Sequence, residues 1–288
     1  MNNKILLYYC KEIGNFGDEL STYVVEKLSK KQPVFAKNTD KFKFVAIGSL
    51  LNYDIVHSNS VVWGTGTLTR NAVKIVPKIF PLNRSISSLI RRLMEKKQNI
   101  ANVLAVRGPL TRKALLAEGI PCPEVYGDPA IVMPRLYKPK ANKKSKMGLI
   151  FHHSQESLLN DDVLKKIDRE GIKLIPINRV GNEQIEDFID EVFSCDKVFS
   201  TSLHGLIIAQ VYGVPAQWLK VEGEQIHSDD SHKFNDYFLG VNLKPQEPYI
   251  IKLTLENILK LSELPVSKSV ISTTIVDKLL SVFPYLSD

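Results

Sequence analysis

Short apolar runs alternate with amphipathic runs along most of the chain. Strand-like stretches such as "KILLYY" are followed by a loop and then by a segment with helical spacing, such as "ELSTYVVEKL". A second series begins at "MGLIFHH" and continues through "IKLIPIN", "KVFST" and "AQWL". Strands that alternate with helices predict parallel sheets built from βα units. We therefore expect an α/β protein with two open domains whose parallel sheets face a cleft.

A polar, basic stretch broken by a proline separates the two series. It reads "YKPKANKKSK", a composition typical of a connection between domains. We predict an N-terminal α/β domain over residues 1–138, a linker over 139–147 and a C-terminal α/β domain over 148–245. The helical runs over 246–288 are predicted to pack across both domains.

Composition is ordinary for a globular protein with a substantial core. The 288 residues include 44% hydrophobic and 24% charged residues. The three cysteines lie far apart without metal-ligand spacing, which favours a reducing compartment over a disulfide framework. The N-terminal run lacks a signal-peptide cleavage pattern, and no apolar run approaches the roughly 20 residues that span a bilayer. These features predict a cytoplasmic protein without a metal site.

The net charge of +7 is concentrated in one segment. Between Arg70 and Lys97 there are eight basic residues and one acidic residue, so the rest of the chain is balanced. This local excess argues against nucleic acid as a partner. Within it, "SISSLIRRLMEKK" has the apolar spacing of an amphipathic helix. Residues 70–98 are predicted either to lie on an anionic membrane or to present a solvated basic face.

Polar and glycine-rich clusters follow the predicted strands. Ligands of open parallel sheets bind at the carboxyl ends of the strands, so these clusters should line the cleft. In "IGNFGDELS", free amides at the start of a helix could hold an anion, or Asp18 could act as a helix cap. The clusters are Gly14–Asp18, Gly48–Ser49, Gly64–Gly66, Arg107–Gly108, Gly127–Asp128, His152–His153 and Ser200–Gly205.

Arg107 ends an apolar strand, where an unpaired guanidinium would be costly to bury. It is predicted either to pair with a carboxylate such as Asp128 or to bind an anionic ligand in a bidentate manner. Arg112, one turn into the following helix, is either a second anion contact or a solvated side chain. The residues alone leave both alternatives open.

His204 stands in "STSLHGL", where a buried strand becomes a buried helix. The helix dipole disfavours a protonated imidazole at this position, and a bound phosphate or carboxylate would favour the protonated ring again. His204 is therefore a candidate general acid or phosphate contact, the alternative being a core histidine bonded to a carbonyl. The adjacent hydroxyls favour ligand contact. His152 and His153 are expected on opposite faces of a strand, which argues against a shared metal.

In their order along the chain, the motifs resemble those of the polysaccharide pyruvyl transferases. The resemblance spans roughly residues 4–240 and rests on "GNFGDELS", "VWGTG", "VRGPLTRKAL", "YGDPA", "HH", "STSLHGLIIAQVYGVP" and "KFNDYF". It implies two Rossmann-like domains in a GT-B-like arrangement. It also implies transfer of the enolpyruvyl group of phosphoenolpyruvate (PEP) to two hydroxyls of a sugar, which forms a pyruvate ketal.

The resemblance implies a partner and a location as well. The acceptor would be a glycan of a capsule or exopolysaccharide, free or lipid-linked, and the enzyme would act at the inner face of the plasma membrane. PEP would be the donor substrate, with no cofactor. The alternatives are a GT-B glycosyltransferase that uses a nucleotide sugar and a non-catalytic glycan-binding protein.

Carried over by motif, the resemblance implies that Arg107 and His204 contact PEP, and either Asp18 or Asp128 is a candidate base or acceptor contact. Many relatives have an arginine where this chain has Ser202, so another side chain would supply that cation. Arg112, His152, His153 and Lys233 are the candidates. The predicted substrate-binding residues are Asn15, Gly17, Gly64, Thr65, Gly66, Arg112, Asp128, His152, His153, Ser200, Thr201, Ser202, Gly205 and Lys233.

Overall fold

The computed structural model describes residues 3–11, 14–37, 39–40, 42–74, 100–140, 142, 144–224, 226 and 230–287. The strands of the first half form one parallel sheet in the order β2-β1-β3-β4-β5. Their bounds are β1 (Lys4–Tyr8), β2 (Gln32–Phe35), β3 (Phe44–Val45), β4 (Val61–Trp63) and β5 (Asn102–Ala105).

The strands of the second half form another parallel sheet, in the order β10-β9-β8-β6-β7. Their bounds are β6 (Met147–Ile150), β7 (Ile172–Leu174), β8 (Val198–Ser200), β9 (Ala216–Val221) and β10 (Tyr249–Ile251). The prediction of an α/β protein with two parallel sheets is confirmed. The sheets are consistent with two Rossmann-like domains.

The two sheets share one topology. Numbered from its own first strand, each sheet has the order 2-1-3-4-5, which is a common doubly wound order. The chain reverses its winding between β1 and β3 in one sheet and between β6 and β8 in the other. Ligands bind outside the carboxyl ends of the strands at such a reversal. Two candidate binding edges therefore exist, one on each sheet.

Helices and two short 3-10 helices cover the sheets. α1 begins where Asn15 Oδ1 accepts a hydrogen bond from Gly17 N, and α3 begins at Pro109, whose ring suits the first turn. The helices are α1 (Phe16–Ser29), α2 (Tyr53–Val56), α3 (Pro109–Ala117), α4 (Met133–Leu136), α5 (Asp161–Arg169), α6 (Asn182–Phe193), α7 (Leu203–Val211), α8 (Asp230–Gly240), α9 (Leu255–Leu261) and α10 (Thr273–Ser281). The 3-10 helices are Pro129–Val132 and His153–Leu158.

The largest apolar cluster draws side chains from both halves of the chain. Phe16 of α1 stacks on Phe188 of α6 with ring centroids 4.1 Å apart. At the C-terminus, α10 packs on the first sheet, where Trp63 Nε1 donates a hydrogen bond to the carbonyl oxygen of Leu279. α9 instead packs against α5 of the second half. The domain boundaries stay predictions.

α8 follows the second-half strand β9 but packs against α3 of the first half. A Cβ on Gly108 would lie 1.8 Å from the carbonyl oxygen of Asp236, and a Cβ on Gly240 would lie 2.1 Å from that of Arg107. Only glycine permits so close an approach of two backbones. The chain thus returns to the first half before it forms β10, which the hydrophobic pattern did not predict.

The basic segment 70–98 lies mostly outside the described residues, since residues 75–99 are not among them. Its amphipathic helix and its contact with a membrane stay predictions. Among the helices that the structure describes, none is both long and apolar enough to span a bilayer.

Candidate functional site

The loops after β1 and β7 join the two halves. Phe16 N donates a hydrogen bond to the carbonyl oxygen of Ile177 at 2.9 Å, and Arg179 N donates to that of Gly14 at 2.9 Å. Asn15 and Asn178 form a short antiparallel bridge. Both loops follow the carboxyl ends of their strands, so those edges of the two sheets face each other.

His204 lies where these edges meet. It belongs to the first turn of α7, directly after β8, and its ring packs over the backbone of Gly17 in α1. A Cβ on Gly17 would be 2.0 Å from His204 Nδ1, so the ring fits only because position 17 has no side chain. On its other side, His204 Nε2 lies 3.6 Å from Asp128 Oδ2. Three separate segments therefore enclose one imidazole.

Asp18 is the second titratable group at this place. Burial raises the pKa of its carboxyl to about 6, while the nearby His204 and a hydrogen bond with the backbone of Cys10 oppose the shift. A carboxyl with a pKa near 6 can exchange a proton close to neutral pH. This pKa is compatible with a base, and the role of Asp18 stays a prediction.

Asp128 is the third group and is fully buried. Its Oδ1 accepts a hydrogen bond from Ala130 N at 3.0 Å and so caps the short helix that begins at Pro129. Its Oδ2 and His204 Nε2 are both buried without a hydrogen-bond partner among the described residues. The two atoms lie 3.6 Å apart.

Hydroxyl side chains shape the turn from β8 into α7. Ser200 Oγ donates to the carbonyl oxygen of Ser202 at 2.7 Å and accepts from Ser202 N at 3.0 Å. Thr201 Oγ1 accepts from His152 N and donates to Gln155 Oε1, which ties this turn to the loop after β6. Ser202 begins α7 without a side-chain cap, so an anion could interact with the helix start.

The expectation that His152 and His153 point to opposite faces of a strand is wrong. Their rings lie 4.0 Å apart with an interplanar angle of 43°. β6 ends at Ile150 and a 3-10 helix begins at His153, so the alternation of a strand no longer applies. Within the described ranges, no three His, Cys, Asp or Glu side chains are placed to hold a metal ion.

Arg107 is fully buried and bonded to protein groups. Its Nε donates to Asp236 Oδ2 at 3.1 Å, its Nη1 to Ser49 Oγ at 2.7 Å and its Nη2 to the carbonyl oxygen of Thr67 at 2.7 Å. The carboxylate that pairs with Arg107 is thus Asp236 and not Asp128. These bonds favour a positioning role, and direct contact with PEP stays a prediction.

Asp236 was not predicted, although it organises this part of the molecule. Besides Arg107, it accepts hydrogen bonds from Leu110 N, Thr111 N and Thr111 Oγ1 at 2.9, 2.9 and 2.6 Å. It thereby caps α3, whose N-cap residue Gly108 has no side chain. A buried arginine and an uncapped helix start both signal a missing carboxylate, but no local pattern identifies which one.

The predicted cluster Gly64–Gly66 contacts protein groups. A Cβ on Gly64 would lie 2.5 Å from Pro129 Cδ, and one on Gly66 would lie 2.4 Å from Arg107 Cζ. Thr65 Oγ1 donates to the carbonyl oxygen of Gly48 at 2.8 Å. These residues support the Arg107 side chain and the turn that carries Asp128.

The other predicted residues lie in similar supporting positions. A Cβ on Gly205 would lie 2.7 Å from Ser200 Oγ, so this glycine lets α7 approach β8. Arg112 Nη2 lies 3.2 Å from Glu124 Oε1 on the partly exposed side of α3. Lys233 is nearly buried in α8, with its Nζ 5.5 Å from the ring centroid of Phe234. The structure therefore gathers Asn15, Gly17, Asp18, Asp128 and His204 at one place.

Comparison with known proteins agrees with this picture. A model of the polysaccharide pyruvyl transferase family matches residues 3–221. The chain belongs to this family. The chain is also 25% identical over 238 residues to "Uncharacterized protein L143" of Acanthamoeba polyphaga mimivirus, a match that covers 80% of this chain and 71% of that protein. No solved structure matches this chain significantly. The family match includes Asp18, Asp128 and His204 and ends before α8.

Proposed function

We propose that this pyruvyl transferase moves the enolpyruvyl group of PEP to two hydroxyls of a sugar in a surface polysaccharide or its lipid-linked precursor. Membership of the family supports pyruvyl transfer to a polysaccharide. The observation that carries the finer proposal is the position of His204, which lies between Asp18 and Asp128 at the facing carboxyl edges of both sheets.

The reaction requires proton transfer and room for an anionic donor. A proton adds to the methylene carbon of PEP, and a sugar hydroxyl adds to the neighbouring carbon with loss of its own proton. The bond from that carbon to the phosphate oxygen then breaks, phosphate leaves, and a second hydroxyl closes the ketal as it loses its proton. One acid, one base and a contact for the departing phosphate are therefore needed.

The residues of the site match these three tasks. His204 is the acid or the phosphate ligand, at the start of a helix whose dipole attracts an anion. Above about pH 6 the Asp18 carboxyl is ionised and can accept a proton from a hydroxyl. PEP is the donor, and no further cofactor belongs to the proposal. A membrane-bound acceptor would be met at the inner face of the plasma membrane.

Phosphate release tests this function. We expect the full chain to release phosphate from PEP when a suitable sugar diol is present. His204→Ala should lower kcat by about 10²- to 10⁴-fold, because a general acid contributes that much, while the circular dichroism spectrum stays unchanged. Asp277→Ala, an exposed substitution in α10, is the control that should keep the wild-type rate.

The outcomes separate the alternatives. A His204→Ala variant that keeps the wild-type rate would contradict the proposal. Thermal protection by a nucleotide sugar without phosphate release from PEP would indicate a glycosyltransferase. Glycan binding without either effect would indicate a binding protein.

A further inference from the structure

We propose that Asp128 is a positioning residue that holds His204 through Nε2, so that Nδ1 is the ring nitrogen that exchanges a proton with the substrate. The inference rests on the proposed function and deepens it. It also changes the role of Asp128 from substrate contact to partner of the histidine.

The burial of Asp128 is the first step of the argument. Its side chain is completely inaccessible, so it does not reach a ligand in this arrangement. Oδ1 is occupied by the hydrogen bond from Ala130 N. Oδ2 is buried and faces His204 Nε2 at 3.6 Å. A buried carboxylate oxygen without a donor is unfavourable, so a small approach of the imidazole N–H stabilises both side chains.

The second step concerns the other polar group near Asp128. Burial raises the pKa of Tyr237, and the negative charge of Asp128 adds to this shift, so the two side chains interact electrostatically. The Tyr237 hydroxyl nevertheless donates to Gln210 Oε1 at 2.9 Å. The Tyr237 hydroxyl is therefore bonded elsewhere, and His204 Nε2 is a nitrogen that the structure places opposite Asp128 Oδ2.

The third step concerns the opposite side of the ring. Nε2 is buried, yet the His204 side chain keeps 15% of its exposure. The exposed atoms of this side chain are therefore atoms other than Nε2. Nδ1 and Cε1 face the bare backbone of Gly17, at the start of α1 beside Asp18. The groups that act on His204 are thus Asp128, which caps the 3-10 helix Pro129–Val132, and Asp18 in α1, with Glu19 acting on Asp18.

A definite protonation pattern follows. Neutral His204 keeps its proton on Nε2 and donates it to Asp128, which leaves the lone pair of Nδ1 free to accept a proton. In the protonated ring, Nδ1–H is the acid. During the proposed reaction this N–H bond breaks as the methylene C–H bond forms, and the Nε2 proton stays on the ring. Asp128 fixes the tautomer and does not itself exchange a proton.

Nitrogen NMR of the full chain with ¹⁵N-labelled histidine tests this pattern. The His204 signals are assigned by their loss in His204→Gln. In the wild-type protein we expect the Nε2–H tautomer of neutral His204. In Asp128→Asn the amide N–H₂ would face Nε2, so we expect a shift toward the Nδ1–H tautomer. That variant should lower kcat by about 10²- to 10⁴-fold and change KM for PEP by less than about threefold.

Asp18→Asn is the matched control, because it removes the other carboxylate that interacts with His204 and should leave the tautomer unchanged. A dominant Nδ1–H tautomer in the wild-type protein would overturn the inference without need of any variant. An unchanged tautomer in Asp128→Asn would overturn it as well. If the wild-type protein does not use PEP, the proposed function fails, whereas the spectra still decide the role of Asp128.

Discussion

Two aspartates each meet a nitrogen-bearing side chain across the two halves of the molecule, and their surroundings differ sharply. Asp236 and Arg107 are both fully buried, and Asp236 accepts hydrogen bonds from two side chains and two backbone amides. Asp128 has one hydrogen bond and one longer contact with His204, whose ring is partly exposed. The carboxylate of the first pair therefore uses all of its hydrogen-bonding capacity, whereas that of the second pair does not.

This difference separates structural support from chemistry. A carboxylate whose lone pairs are all occupied holds its neighbours rigidly and cannot also bind a ligand or a proton. A histidine with one anchored nitrogen and one accessible side can exchange protons while it keeps its orientation. Arg107 and Asp236 are therefore expected to stabilise the packing of the two halves, and proton transfer is expected around His204.

The largest expected effect comes from breaking the pair of Arg107 and Asp236. Asp236→Ala leaves the Arg107 guanidinium buried without a counterion and removes the cap of α3. We expect a loss of about 3–5 kcal/mol in the free energy of unfolding, measured by urea denaturation. Asp236→Asn keeps an oxygen for the α3 amides and should cost less. A loss below about 1 kcal/mol in Asp236→Ala would remove the basis of the comparison.

A smaller, pH-dependent effect on stability is expected from Asp18, which lies beside the pair of Asp128 and His204. The pKa of Asp18 is about 6 in the folded protein and near 4 in the unfolded chain, so the folded state binds this proton more tightly. The contribution of Asp18 to stability is therefore fully present below about pH 4 and is lost as the pH rises through about 6.

Asp18→Asn should remove this part of the pH dependence. Between pH 4 and pH 8 the wild-type protein loses some free energy of unfolding through the ionisation of Asp18. The Asp18→Asn variant lacks this loss, so its total decrease over the same pH range should be smaller by about 1–2 kcal/mol. Urea denaturation at both pH values measures the difference. Parallel pH curves for the two proteins would show that Asp18 titrates as it does in the unfolded chain.

The smallest effect is expected from an exposed pair with the same chemistry as the pair of Arg107 and Asp236. Arg135 Nη2 lies 2.9 Å from Asp277 Oδ1, with both side chains more than half exposed. Asp277→Ala should change the free energy of unfolding by less than about 1 kcal/mol, because water screens the charges. A loss as large as that of Asp236→Ala would mean that burial does not explain the difference between the pairs.

Sequence patterns predicted the parts of the fold that depend on local order. Alternating apolar runs located β1 and β8, and Pro109 marked the start of α3 correctly. These local patterns did not predict the position of α8. That position depends on the bond between Arg107 and Asp236, which are 129 residues apart in sequence, and local patterns carry no information on such distant pairs. The rings of His152 and His153 were placed wrongly because β6 ends at Ile150, before either histidine, so strand alternation does not extend to them.

The site was predictable to a similar degree. The rule that ligands bind at the carboxyl ends of strands selected the edge at which Asp18, Asp128 and His204 meet. The same rule also selected Gly64–Gly66, which support Arg107 instead. Sequence order specifies which edge a residue occupies, whereas packing decides whether its side chain faces the cleft or the interior.

The return of α8 to the first half has a mechanical consequence. Two domains on a single linker can rotate about one hinge. This chain instead passes between its halves at residues 137–147, again before α8, again before β10 and again before α10. These connections act in parallel, so a rotation that relaxes one of them strains another. We expect the halves to rock through small angles about a shared axis, which keeps His204 within reach of its partners throughout a turnover.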